Sequence, residues 1–506
     1  MPLSDDIKDL IEHDNHRARR LLHGLVAEAP ESVEARFLLA QSYLRSMEVA
    51  DALPLYQAVL ERDPSVVEAK HAIGFCRFAL GDNDGALKAY RDAFASATTA
   101  HSLAMCALIL HRLNRLDEAI DAYDKLLTTC QPTSAVVPSA LQGMAAALRD
   151  ASRPIAAERY VHELLQRFRR DPTTIATQLA DRNNSLDFHE WWIYENKSRL
   201  AAALQRFAAK DSQNGRFPET FVLPAQRDAL AAFVARHEPK PVLIAKPSQG
   251  TGGQGITVTS DLGAIIDRDN VVVQRYLDRP YLVDGRKGHA RIYGLVSSVD
   301  PLRAYVYSEG IIRFAPERYD ARPDRLGNNA MHVTNTALHR GHPGLTISND
   351  PSQDNVGNIW SLTALLRRMT QDGIDGDATF GKITKLVEWF VRMVAAEGLF
   401  ARQAKGSAAR AFTPKLFGLD VLLDDRGDPW LLEMQVKPAM AGAPLVGKIN
   451  GELFATIFRM SVGQLVEDGM KPDRLGELAL DARACRRREL EIETANRGRF
   501  VPLKVT

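Results

Sequence analysis

Phe417-Gly-Leu-Asp420-Val-Leu-Leu-Asp-Asp-Arg-Gly-Asp-Pro-Trp-Leu-Leu-Glu433-Met-Gln435 reads as two strands folded about a tight turn. The turn is Asp425-Arg426-Gly427-Asp428, where glycine supplies the positive φ that a hairpin connection requires. Folding about Arg426-Gly427 sets Asp420 opposite Glu433. Side chains alternate along a strand, so the two faces can be separated by inspection. Leu419, Val421, Leu423, Trp430, Leu432 and Met434 make an apolar face, and Asp420, Leu422, Leu431, Glu433 and Gln435 make the other. Two carboxylates opposed across a ladder lie roughly 5 Å apart at Cβ and repel. A divalent cation removes that conflict, and an all-oxygen set with few protein donors suits Mg2+ shared with phosphates. For these residues alone, an exposed hairpin with solvated acids is the alternative.

A chain of 506 residues is long enough for two or three domains with substantial cores. Its net charge of +1 argues against a general nucleic-acid or membrane-surface binder. The start, Met1-Pro-Leu-Ser-Asp-Asp-Ile-Lys8, is acidic and lacks the apolar run of a signal peptide, and no stretch approaches a membrane span. A cytoplasmic location is expected. Cys76, Cys106, Cys130 and Cys485 are scattered without metal-ligand spacing and are expected to be reduced thiols.

The first third carries a helical repeat. Ala18, Ala52 and Ala86 recur every 34 residues, with Ala119 and Ala156 following at 33 and 37. A bulky residue stands four places after each: Leu22, Tyr56, Tyr90, Tyr123 and Tyr160. The small residue lets paired helices approach, and the bulky one fills the groove to the next repeat. Pro30 and Pro64 fall at a constant offset, and Gly81-Asp82-Asn83-Asp84-Gly85 is an inter-helix turn. This period and pattern resemble the tetratricopeptide repeat. Residues 1–172 are assigned to the array, whose last repeat is loose.

Beyond Arg170-Asp171-Pro172 the texture changes to strands at Phe221–Pro224, Pro241–Ala245, Val271–Gln274 and Ala304–Tyr307. Helices are expected at Lys197–Ala209, Gln226–Ala235, Ile359–Met369 and Lys382–Ala396. Mixed elements of this kind indicate an α+β or α/β catalytic region. Lys246 ends an apolar strand, and Gly250-Thr-Gly252-Gly253-Gln-Gly255 leads directly into a second strand. Strand, glycine loop, strand differs from the Rossmann and Walker patterns, where a helix follows, and suits a lid whose N–H groups close over phosphates. Lys287 and Arg291 share one strand face, a pairing that favours a phosphate or carboxylate ligand. Met331-His332-Val333 is read as a strand running into Thr334-Asn335, which by themselves are compatible with a plain turn.

Together these segments resemble the tubulin-tyrosine ligase-like family, a branch of the ATP-grasp ligases. The carriers, in the family's order, are Phe217–Pro224, Ala245-Lys246 with its glycine loop, Gln274-Arg-Tyr-Leu277, Arg286-Lys287 with Arg291, Glu309-Gly310 with Arg313, His332-Val-Thr-Asn335, Gly418-Leu-Asp420 and Leu432-Glu433-Met-Gln435. The resemblance implies an α+β ATP-grasp region over residues 185–470; the tail after it, 471–506, is charged, with Arg486-Arg487-Arg488, and is read as solvated. The resemblance also implies nucleotide contacts from Lys246, Gly252, Gly253, Gln274 and Lys287, with Tyr276 and Leu277 acting as an adenine hinge through their backbone. Arg291 and Arg313 would hold a carboxylate or acyl-phosphate, Thr334 and Asn335 match the family's site pair, and Asp420, Glu433 and Gln435 fall on its metal positions. Two departures stand out: the family usually has Asn at Gln435 and an acidic residue at His289.

The resemblance implies a carboxylate–amine ligase that uses ATP with Mg2+ or Mn2+ and joins an amino acid or other amine to a protein or peptide recruited by the repeats. Neither a nucleic acid nor a membrane is expected as a partner. An ATP-grasp kinase, a degenerate nucleotide-binding scaffold and a small-molecule ligase are the competing readings.

Overall fold

The structure is a computed structural model. It describes residues 15–46, 48–97, 99–151, 194–211, 215–248, 253–299, 301–400, 415–436, 443–458 and 493–505, with single positions between. The expected boundary between 172 and 185, Gly252, and the tail from 471 to 489 lie outside the described residues. The chain divides into two compact units, one built on the repeats and the other running from residue 190 and including 490–506.

The first unit pairs helices in series: Val33–Arg45 with Val49–Arg62, Val67–Ala79 with Asn83–Ser96, and Ala100–Arg112 with Leu116–Thr129. Asn15–Glu28 precedes these pairs and Val137–Asp150 follows them. Local chemistry starts the helices, since Ser32, Asp82 and Thr99 each accept a backbone N–H from the first turn. Ala18, Ala52, Ala86 and Ala119 are fully buried, as are Leu22, Tyr56, Tyr90 and Tyr123. Close approach is literal at Gly74, where a Cβ would stand 2.8 Å from the Tyr90 ring. Tyr90 also meets His101 of the next repeat edge-on at 6.1 Å. The series lapses at Ala156, which is exposed. Cys76 and Cys106 are free and buried, and burial pushes their thiols up to about 12 and about 11.

The second unit has two antiparallel sheets. The smaller orders β1 (Thr220–Leu223), β4 (Val271–Arg275), β2 (Leu243–Pro247) and β3 (Thr257–Thr259). Leu230, Phe233 and Val234 of the helix Arg227–Ala235 pack on its Leu223, Leu243, Ala245, Val271 and Val273. The larger sheet orders β10 (Pro429–Gln435), β9 (Lys415–Leu423), β6 (Arg286–Val299), β7 (Leu302–Phe314) and β11 (Phe500–Pro502). β5 (Leu282–Val283) pairs with β6, and β8 (Ile359–Ser361) pairs with β7. Behind it runs Gly376–Ala396, whose Phe390 meets Phe417 of β9 at 5.6 Å.

Three expectations change. Ile359–Met369 is not one helix: its first residues pair with β7 as β8, and Ser361 then caps the helix Leu362–Gln371 by accepting from Ala364 N–H. Met331–Val333 is not a strand, because Asn328 caps a single helical turn, Asn329–His332. The end of the chain is not a solvated segment. Phe500–Pro502 adds β11 to the free edge of β7, and Glu493, fully buried, accepts from Arg303, Tyr305 and Ser297. Among the described residues no helix is long and apolar enough to cross a membrane.

Candidate functional site

One row of register pairs across the large sheet carries the chemistry. Arg313 of β7 faces His289 of β6; two residues on, Arg291 of β6 faces Asp420 of β9, which in turn faces Glu433 of β10. Strand alternation puts Lys287, His289 and Arg291 on the same side of β6. These residues, with Lys246 at the end of β2, line a cavity of about 720 Å3. Gly253 from the β2–β3 loop, Thr334 and Asn335 from the loop after Asn329–His332, and Gln435 also line it. Gly253 and Gly255 have φ of 83° and 70°, so the β2–β3 connection uses the left-handed region that glycine adopts freely.

The hairpin has the expected turn, with Gly427 at φ 72°, but it reaches the Asp420–Glu433 pairing by a different route. From the turn outward, Trp430 pairs with Leu422 and Leu431 with Val421; a bulge at Leu432 then restores Glu433 opposite Asp420. The extra residue exchanges two faces from the alternation expected. Leu431 is buried, at 1% exposure, while Leu432 lines the cavity beside Glu433.

Six cations line the cavity (Lys197, Lys246, Lys287, Arg291, Arg313 and Arg340) against two carboxylates, Asp420 and Glu433. Burial, and then mutual repulsion, discourage so much positive charge. Burial brings Lys287 down to about 7, with Lys246 adding to the effect, and brings Lys246 down to about 8, with Lys197 contributing. Arg313 is lowered by burial and by Arg291. Burial, Arg313 and Arg291 hold His289 down to about 3. His289 is therefore neutral, and its 3.8 Å approach to Asp420 is not an ion pair. Its Nδ1 instead pairs with the Thr334 hydroxyl. Burial opposes the charges of Arg291 and Asp420, but each holds the other ionised through bonds of 2.5 Å and 3.1 Å. A pocket this rich in under-compensated cations suits a polyanion.

Asp420, Glu433 and Gln435 offer only oxygen donors for a metal, two carboxylates and an amide carbonyl, which is the donor chemistry of Mg2+. The Gln435 side chain lies back along the strand, its amide N–H donating to Glu433 Oε1 at 3.0 Å. That leaves its carbonyl available on the same face. Among the described residues no cluster of three or more His, Cys, Asp or Glu is placed to hold a metal, so a cation here depends on oxygen from an amide, water or a bound anion.

Gln274, Tyr276 and Leu277 do not line the cavity. Gln274 is buried, accepting from Lys246 Nζ at 2.8 Å and donating to the Thr220 hydroxyl. The Tyr276 N–H is committed to the Val242 carbonyl. Two lining cations escaped the sequence reading. Lys197 opens the helix Lys197–Ala208, and its N–H donates to the Ser248 carbonyl beyond β2 while its Nζ stands 3.8 Å from Glu433. Arg340 lies on an irregular loop. Neither sits in a motif, and only the fold brings them to the cavity.

A model of the Tubulin-tyrosine ligase family matches residues 178–469, more than half of the chain, and a Tetratricopeptide repeat model matches residues 12–67 and 77–135. Tubulin polyglutamylase TTLL5 of Mus musculus is 34% identical over 258 residues, covering 50% of this chain and 19% of the relative. Tubulin monoglutamylase TTLL4 of Homo sapiens is 32% identical over 272 residues, covering 53% of this chain and 22% of the relative. Tubulin polyglutamylase ttll-5 of Caenorhabditis elegans is 32% identical over 285 residues, covering 54% and 38%. The chain thus spans well under half the length of these relatives. With the matched region holding the smaller sheet, the larger sheet apart from β11, the charged row and the cavity, the chain belongs to the tubulin-tyrosine ligase family.

Proposed function

We propose that the protein is an ATP-dependent carboxylate–amine ligase acting on a protein or peptide acceptor in the cytoplasm. The observation that carries this reading is the row Arg313, His289, Arg291, Asp420 and Glu433 beside two lysines whose ammonium charge burial has weakened. A triphosphate entering such a cavity restores the protons of Lys246 and Lys287, because an adjacent anion favours the charged form. Asp420, Glu433 and Gln435 would hold Mg2+, which supplies charge to phosphate oxygens. Among the described residues the Arg313 guanidinium makes no hydrogen bond or ion pair, and it lines the cavity, so it is open to a substrate carboxylate. Arg291 spends Nε and Nη2 on Asp420 and keeps its remaining N–H groups for the same task.

In this reaction the γ-phosphoryl of ATP passes to a carboxylate oxygen and ADP leaves. The amine then attacks the acyl carbon, inorganic phosphate departs, and an amide forms with loss of a proton. Thr334 and Asn335 stand at the cavity to orient the amine, with Thr334 itself fixed by His289. The protein's contribution is position and charge. The relatives' names make glutamate the first amine to test and tubulin the first acceptor. The repeats supply a surface for recruiting the acceptor.

The test is incubation of the purified protein with ATP, Mg2+, labelled amino acids and either tubulin or host lysate, followed by mass spectrometry. Addition of an amino-acid residue supports the ligase. Addition of phosphate makes it a kinase, and equal inertness of wild type and Glu433→Ala makes it a scaffold.

A further inference from the structure

Tyr276 is interesting in the sequence for its backbone, but its side chain has separate work in the fold. It lies just after β4 and is 3% exposed. Its hydroxyl stands 2.9 Å from Lys287 Nζ and 2.8 Å from His332 Nδ1. Lys287 Nζ also sits 4.2 Å from the centre of the Tyr276 ring. The second imidazole nitrogen of His332, Nε2, is 3.1 Å from the Arg325 carbonyl. A carbonyl only accepts, so Nε2 carries the proton. Burial lowers the pKa of His332, so the ring is neutral and Nδ1 is an acceptor. The Tyr276 O–H therefore donates to Nδ1, and its oxygen accepts from the Lys287 ammonium. The Tyr319 hydroxyl, which donates to the Asp278 carbonyl, also acts on the Tyr276 hydroxyl, and the contacts from Lys287 through Tyr276 and His332 to Arg325 run in one direction.

We propose that Tyr276 and His332 are positioning residues for Lys287, forming a one-way hydrogen-bond relay that fixes where its ammonium stands in the cavity. The relay spans both sheets, since Tyr276 follows β4 of the smaller one and Lys287 lies in β6 of the larger. Its chemistry opposes the burial that weakens the Lys287 charge. A hydroxyl oxygen and a ring face both favour the ammonium over the amine. The hydrogen bond to His332 polarises that hydroxyl and makes it the better acceptor. Among the described residues, the charged and titratable groups around Lys287 and its relay are Lys246 from β2, His289 and Arg291 on its own strand face, Tyr276, His332 from Asn329–His332, and Tyr319, which acts on Tyr276 and packs edge-on against His332. The relay is a property of the protein alone; only its consequence for nucleotide rests on the proposed function.

The experiment is competitive acetylation of the full chain without nucleotide, across the neutral to alkaline range, with mass spectrometry of the peptide that carries Lys287. Its rate against pH gives the titration midpoint of that lysine. Tyr276→Phe keeps the ring and removes the hydroxyl, and it is expected to lower the midpoint by about one unit or more. His332→Leu is expected to lower it by less, and to add little in the Tyr276→Phe background, because the hydroxyl carries the hydrogen bond that joins His332 to Lys287. His332→Asn, whose amide oxygen can accept where Nδ1 does, is expected to restore the wild-type midpoint and covers the case in which His332→Leu does not fold. A midpoint unmoved by Tyr276→Phe overturns the relay. So does a His332→Leu or His332→Asn shift that persists undiminished in the double variant. ATP affinity, measured calorimetrically on the same proteins, separates the two readings. Absence of ATP binding in wild type refutes the ligase and leaves the labelling result standing, whereas ATP binding with an unmoved midpoint refutes the relay alone.

Discussion

Arg291→Met tests whether the charged row is held together as its geometry implies. Arg291 donates from Nε and Nη2 to the two oxygens of Asp420 at 2.5 Å and 3.1 Å, and both side chains are almost fully buried. Methionine keeps much of the stem and removes the charge. Breaking a buried pair by deleting one partner costs about 3–5 kcal/mol, because the other charge stays in low dielectric uncompensated. Asp420 would retain the field of Arg313, so the loss belongs near the lower end, about 3 kcal/mol. Asp420→Asn should cost a similar amount, and the double variant should cost less than the two singles added, with a coupling of about 2 kcal/mol. The pH dependence has a definite sign. Arg291 keeps Asp420 ionised against burial; without Arg291, burial raises the Asp420 pKa above its unfolded value. The deficit of Arg291→Met is then full at neutral pH and shrinks as the pH falls into the carboxylate range. Thermal unfolding should be combined with hydrogen exchange of the amides in 286–299 and 415–423, which reports opening of these strands separately from the repeats. A change of less than about 1 kcal/mol in Arg291→Met, or simple additivity in the double variant, would refute the reasoning.

Lys246→Ala and Lys287→Ala should each weaken ATP binding about tenfold or more, since charge-assisted contacts are worth roughly 1.5–3 kcal/mol apiece; unchanged calorimetric affinity in both would remove them from the nucleotide site. ATP binding to wild type near pH 8 should take up protons, because Lys287 at about 7 and Lys246 at about 8 are partly neutral beforehand, and affinity should fall as pH rises; calorimetry in buffers of different ionisation enthalpy measures the uptake. Gln435→Asn should keep or raise ligase activity and Glu433→Ala should abolish it, with product mass as the readout. Truncation before Leu490 should destabilise the second unit, because it exposes the β7 edge and strips Glu493 from Arg303, and an unchanged melting profile would show that β11 contributes little.

The features legible in the sequence were those with a local physical cause. The alanine and tyrosine series marks helices that must nest, and Gly427 marks a turn that needs positive φ, so the repeats and the β9–β10 hairpin could be read from spacing alone. The candidate residues on β6 could be grouped because alternation is a property of any strand. The features that only the tertiary structure decided depend on partners far away in the chain. The bulge at Leu432 exchanges two leucines between faces, an insertion that alternation about the turn does not contain. Ile359–Ser361 has no local preference strong enough to outweigh the unpaired edge of β7, and the same edge recruits Phe500–Pro502 from what reads as a charged tail. Lys197 reaches Glu433, and the Tyr276 hydroxyl reaches Lys287 and His332, through packing between different elements of the fold. Sequence spacing encodes the period of an element and the chemistry of its turns. Which charges share a cavity, and how far burial weakens them, follows from the assembled sheets.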